Sequence, residues 1–333
     1  MDQPKRMPVG ALLAIIALVA ILFLLVLPAF LRVQEAVKRD SCPVNLKQFG
    51  LVFRMYAGEN QGAFPRRAPY DTPVSYMPAA EDLYPDYWPD PNIMFCPSDQ
   101  RQIDARGRAW MPTAEAMGTL LDQVRDDAVV EDDATCLHYC LSLARSYVYV
   151  GHVVWDWQAV RALEDARQGA VAQGLVEEIT YDFTGTPCEG IGSVVRGAPG
   201  FWDIAALAPG EAPLSFSAGA FDQATLRGST PGGEVRLLRL HTHVARQLAD
   251  GDTAETKDGD IPVMWEAIGT SPDGDQTLRF NHNNPPGGNV LYLDGHCGYV
   301  RRDDRRFPYG PADLGTEYDM TFANLNHFLL GQG

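Results

Sequence analysis

The chain has 333 residues, of which 43 are acidic and 27 basic, for a formal net charge of −16. A surface this acidic repels phosphate backbones, which argues against nucleic acid as a partner, and favours solubility and divalent cations. The charge is unevenly placed: residues 1–40 hold five basic and three acidic side chains, so the remainder carries −18.

The first predicted element is an uncharged apolar run of 25 residues, Met7–Leu31, between Arg6 and Arg32. As a helix it rises about 37 Å, and a bilayer core needs only about 20 such residues. A cleaved signal peptide has an apolar core of about 7–15 residues and a small-x-small cleavage site. This run is longer and no clean site follows it, so a retained transmembrane helix is expected over 7–31 behind a short flank, 1–6. Basic residues flank the run almost equally and do not orient it. All six cysteines (Cys42, Cys96, Cys136, Cys140, Cys188, Cys297) lie beyond it. An even count suits disulfides outside the cytosol, with 15 pairings open. The expected location is therefore the cytoplasmic (inner) membrane, single-pass, with the body extracytoplasmic.

Helix formers continue past the run. Leu46, Phe49, Phe53 and Tyr56 fall at spacings of three and four, which predicts an amphipathic stalk helix within 32–64, ended by Gly58, Gly62 and Pro65. Cys42 with Cys96 would tie this stalk to the loop after it. Turn signals dominate Pro65–Pro97. The head is expected to fill 65–333. Within it, 100–235 is an insertion of unassigned role and 235–310 a C-terminal region. Helices are predicted over Thr113–Arg125 and Trp157–Ala172, and a strand over Ser146–Val150. Cys136 and Cys140 stand one helical turn apart. Structural zinc wants four ligands and a second pair at suitable spacing is missing, so disulfides to Cys188 or elsewhere are the preferred reading.

Val235–Leu248 reads as a basic-faced helix, on which His241 and His243 do not face each other; they would form a metal pair only on a strand. Asp-Gly-Asp occurs three times, at Asp250–Asp252, Asp258–Asp260 and Asp273–Asp275. Such alternating carboxylates can supply oxygen ligands to calcium. None completes an EF-hand loop, and acidic Gly-rich turns are also common on plain surfaces. Ile261–Ile268 is a strand candidate, and Pro285–Gly288 reads as a turn. Asn289–Arg302 reads as a β-hairpin around Asp294-Gly295. No nucleophile elbow, His-Glu-x-x-His or phosphate-binding loop occurs, so no enzyme is expected.

Taken together, several segments resemble bacterial pilin and pseudopilin-like proteins, of the type II secretion protein G kind, with a C-terminal prepilin-processing-associated domain. The N-terminal match is Leu27-Pro28-Ala29-Phe30, Cys42–Gly50, Tyr56 and Gly62–Pro65. Phe95–Asp99 and Ser146–Tyr149 also fit, as do Ile261–Trp265, Asn281-His282 and Gly288–His296. The resemblance departs at the cleavage site, where Arg6 and Ala11 stand in place of a Gly and a Glu, so prepilin peptidase is not expected to cut. The family signature falls on His282 and Asp294-Gly295. One reading is a metal or catalytic pair. The preferred one is that Asp-Gly supplies the hairpin turn and His282 pins the preceding loop.

The expected fold class is α+β: a long, pilin-like N-terminal transmembrane/stalk helix with an extracytoplasmic α+β head containing an antiparallel sheet. The expected function is structural and non-enzymatic: a membrane-anchored, pseudopilin-like subunit or accessory of an extracellular filament or secretion pseudopilus. It would pack with itself or other pseudopilins through a small-residue face (Gly10, Ala11, Ala14, Ala17, Ala20). The alternative is a single-span anchored binding module that holds a ligand or a calcium-bridged partner in its head.

Overall fold

The computed structural model describes residues 9–68, 76–99, 122, 131–142, 146–154, 177–184, 193–198, 215–217, 229–230, 234–236, 239–242, 257–267, 269–270, 278–283, 285–304 and 308–309. Helix α1 runs over Val9–Glu59, a 51-residue element. Two further α-helices follow, α2 (Ala80–Leu83) and α3 (Glu131–Ser142), with a 3-10 turn at Pro91–Met94 between them. The strands are β1 (Tyr147–Tyr149), β2 (Glu177–Asp182), β3 (Ser193–Ala198), β4 (Ser215–Ser217), β5 (Ser229–Thr230) and β6 (Glu234–Arg236). They continue with β7 (Pro262–Glu266), β8 (Gly269–Thr270), β9 (Leu278–Arg279), β10 (His282–Asn283), β11 (Pro286–Tyr292) and β12 (Cys297–Arg301).

The central sheet is antiparallel, in the order β1-β7-β11-β10 with β12 also on β11. Gly287 pairs with both His282 and Arg301, and Val290 with both Trp265 and Gly298. A strand has two edges, so β7 and β10 share one edge of β11, end to end, and β12 takes the other. Strand β7 is buried at every position, as expected of a central strand covered on both faces.

The last third of α1 lies on one face of this sheet. Cys42, Leu46, Phe49, Phe53 and Ala57 are buried; of the expected stripe, Leu46, Phe49 and Phe53 enter the core and Tyr56 packs against it partly buried. Phe49 meets the rings of Trp88 and Tyr147, and Phe53 meets those of Phe64 and Tyr149. The helix stops where Gln61 (φ +54°) turns left-handed and the Gly62 N–H reaches back to the Ala57 carbonyl at 2.8 Å, a Schellman-type end. The Cys42–Cys96 disulfide ties α1 to the segment after the 3-10 turn, the pairing expected from sequence. Cys136 on α3 is also disulfide-bonded.

Three expectations need correction. First, among the described residues no helix is long and apolar enough to cross a membrane. The described side chains of the leading stretch are Gly10, Ile15, Ile16, Ala17, Leu18, Ile21 and Phe23. The transmembrane helix over 7–31, the fold class built on it and the single-pass inner-membrane location with an extracytoplasmic body are therefore overturned. Second, the helix expected over Val235–Leu248 is not formed at its described positions. β6 takes Glu234–Arg236, while Arg239 and His241 make β-bridges to His152 and Ala63, so long-range pairing overrides local periodicity. Third, Pro286–Gly288 belongs to β11 rather than to a turn. A Cβ at Gly288 would lie 2.4 Å from the Tyr309 hydroxyl, so glycine there makes room for a ring.

Strand expectations over Ser146–Val150, Ile261–Ile268 and Asn289–Arg302 are met by β1, β7 and the β11–β12 hairpin. The helix expected over Trp157–Ala172, and nearly all of Thr113–Arg125, lie outside the described residues.

The disulfide spans a sequence separation of 54 residues. Loop-closure entropy puts its stabilisation at about 4 kcal/mol. Paired replacement, Cys42→Ser with Cys96→Ser, is expected to lower the unfolding free energy by about 2–4 kcal/mol in urea titrations monitored by tryptophan fluorescence.

Candidate functional site

Register decides which side chains meet beneath α1. Tyr147 pairs with Glu266 and Tyr149 with Met264, and both tyrosines face α1 through Phe49 and Phe53. Cross-strand partners share a face, so Met264 and Glu266 point the same way. Leu291 pairs with Met264 and His282 with Gly287. With a period of two, Asn289 and His282 join that face. Glu266 ends β7 and His282 begins β10, so they approach across the gap between the two strands.

The contacts follow. The Asn289 amide donates to Glu266 Oε1 at 2.7 Å. His282 Nε2 lies 3.4 Å from Glu266 Oε1 and 3.3 Å from Oε2. Glu266 and His282 are both 1% exposed. Glu266 Oε2 and His282 Nδ1 are buried without a hydrogen-bond partner. Above them sits the disulfide. Cys42, Cys96, Glu266 and His282 each offer one ligating atom, and all four atoms lie within 4.8 Å of one another. The Tyr147 hydroxyl donates to the Cys42 carbonyl at 3.2 Å, and Tyr309 donates to the Glu266 carbonyl at 2.8 Å. Burial first, and the Glu266 charge second, push both phenols well above the ordinary tyrosine value. Both therefore stay protonated and act as donors.

The residues expected to form one signature, His282 and Asp294-Gly295, fall in two separate groups. His282 belongs to the buried cluster. Asp294 and Gly295 form the exposed β11–β12 turn, with Gly295 at φ +88°. Asp294 Oδ1 accepts from the His296 N–H at 2.9 Å and lies 2.6 Å from His296 Nδ1, while Arg54 donates to the Asp294 carbonyl. The turn borders a cleft of about 540 Å³ together with Arg54, Gly62, Thr242 and Asp258. Of the calcium candidates, Asp258 and Asp260 are exposed in a short 3-10 helix. Asp250, Asp252, Asp273 and Asp275 lie outside the described residues, as do Cys188 and His243. Among the described residues, the one group of three or more metal-type ligands is the buried cysteine, glutamate and histidine set. His241 is buried in its β-bridge. Cys140 is buried on α3. Cys297 is a free thiol, which burial raises to about 11, so at neutral pH it is a weak nucleophile.

Sequence reading missed Glu266 and Asn289. The available signal was a lone carboxylate inside the apolar strand Ile261–Ile268, a position where an acid is almost never placed without partners.

No family model matches the chain, and no curated protein or solved structure matches it either. No relative supports the pseudopilin and type II secretion resemblance, and the membrane-crossing helix expected with it does not occur among the described residues.

Burial opposes ionisation of Asp294, but its hydrogen bonds from His296 and the His296 and Arg54 charges outweigh this and hold the carboxyl below 3.8. The folded value is thus below the unfolded one. Its contribution is present at neutral pH and lost as pH falls through the acid range. Asp294→Asn is expected to flatten the acid limb of urea midpoints measured between pH 7 and 3. The effect stays under about 1 kcal/mol, because the side chain is 42% exposed and solvent screens it.

Proposed function

We propose that the chain is a non-enzymatic structural subunit that assembles with further copies of itself through the N-terminal part of α1. One observation carries this reading. Ile15, Ile16, Leu18, Ile21 and Phe23 are 48–67% exposed on that helix. Exposed apolar residues are ordinary when scattered singly; a cluster of five large ones within about two and a half turns marks an interaction surface. From Val9 to Cys42, the first buried residue among those described, the helix rises about 50 Å, which would give long side-by-side contact. The disulfide holds its other end to the head, so packed helices would array the heads around them. The body's net charge of −18 makes heads repel, and attraction falls to the helices.

Sedimentation velocity and negative-stain microscopy of the full chain test this. Multi-copy particles are expected, and Ile16→Glu with Phe23→Glu should return them to monomers while the head's unfolding midpoint stays unchanged. A wild-type chain that remains monomeric at high concentration refutes the reading.

A further inference from the structure

We propose that reduction of the Cys42–Cys96 disulfide turns the buried cluster into a zinc site, with Cys42, Cys96, His282 and Glu266 as the four ligands. The set holds two sulfurs, one imidazole nitrogen and one carboxylate oxygen, the donors that zinc takes in tetrahedral sites. Zn–S bonds of about 2.3 Å and Zn–N or Zn–O bonds of about 2.0–2.2 Å give ligand-to-ligand edges of roughly 3.3–3.8 Å. The four atoms already lie within 4.8 Å of one another, and the 3.3 Å between His282 Nε2 and Glu266 Oε2 matches such an edge. The sulfurs must part from bonding distance to about 3.8 Å, which reduction itself permits.

Two further observations point to a ligand. Glu266 Oε2 is buried and makes no hydrogen bond, whereas Oε1 is held by Asn289 at 2.7 Å. That arrangement orients the carboxylate and leaves one oxygen for a metal, the usual division of labour in an outer shell. The charge also balances. Two neutral thiols and one carboxylate carry −1; zinc with two thiolates and the carboxylate carries −1 as well. Exchanging two protons for one Zn2+ adds no net charge to a low-dielectric interior, where net charge is costly.

The chemistry closes. A dithiol reductant donates two electrons and two protons. The S–S bond breaks, two S–H bonds form, and the reductant leaves as a disulfide. Zn2+ then binds both sulfurs, and their two protons pass to solvent.

The test uses the full chain reduced with a trialkylphosphine, with Co2+ and Zn2+ as probes. Reduced protein is expected to take up one Co2+ with thiolate-to-metal charge-transfer bands and the intense d–d absorption of tetrahedral coordination. Zn2+ should displace it, and the oxidised chain should show neither band. Glu266→Gln and His282→Asn should weaken binding at least tenfold, and Asn289→Ala by about 10–100-fold. A Cys136→Ser, Cys140→Ser chain should keep the spectrum. Independently of any variant, zinc should shield Cys42 and Cys96 of the reduced wild type from alkylation, read by peptide mass spectrometry. A reduced wild type without the cobalt spectrum, a spectrum that survives both Glu266→Gln and His282→Asn, or equal labelling with and without zinc overturns the proposal.

Discussion

The close approach of α1 to β11 fixes where everything else can sit. Gly50 permits it: a Cβ there would be 3.2 Å from a Leu291 methyl, tighter than most side chains allow. From that contact the helix and the strand run back side by side. Eight helical residues, Gly50 to Cys42, cover about 12 Å. Four strand residues, Leu291 to Gly287, cover about 13 Å. The two lengths match, so Cys42 arrives over the point where Gly287 pairs with His282. Phe49 and Phe53 hold this alignment by wedging between Trp88, Phe64 and the two tyrosines of β1. Burying each such ring stabilises by roughly 1.5–3 kcal/mol. The cluster is thus a consequence of helix packing rather than of any local motif.

That explains what was legible in the sequence. The stripe Leu46, Phe49, Phe53 shows its own period, and the alternation around Asp294-Gly295 shows its own turn, because both signals are local. The Cys42–Cys96 pair was suggested by a stalk followed by a loop, and α1 laid beside the 3-10 turn fixes it, where the Asn45 amide donates to the Phe95 carbonyl at 2.7 Å. Glu266, Asn289 and His282 are separated by 16 and 23 residues from Glu266, and only the shared edge of β11 brings them together. Val235–Leu248 misled for the opposite reason. Its apolar spacing suits a helix, yet Arg239 and His241 find strand partners in His152 and Ala63, residues that no local window contains.

Glu266 is the anomaly in an otherwise apolar layer. An ionised carboxylate taken out of water costs several kcal/mol even after relaxation. The Asn289 amide and the His282 ring offset part of that. A leucine of similar volume would avoid the cost altogether, so stability alone does not account for the residue. Its place does: it stands where α1, the Cys96 segment, β7 and β10 converge.

The convergence bears on assembly as well. The described side chains before Ser41 on α1 are exposed, and Cys42 is the first fully buried residue among those described. If copies assemble through the outer helix as proposed, any force they exert on it would reach the head there. With the disulfide intact the load passes through a covalent bond into the Cys96 segment. With the bond open and no metal, the first strong hold moves to Leu46, one turn further in, and the Cys42 turn can fray. Zinc would restore the hold and extend it to β7 and β10 through Glu266 and His282. The joint between the outer helix and the head would then stay stiff in either redox state, and it would soften only where both oxidant and metal are missing.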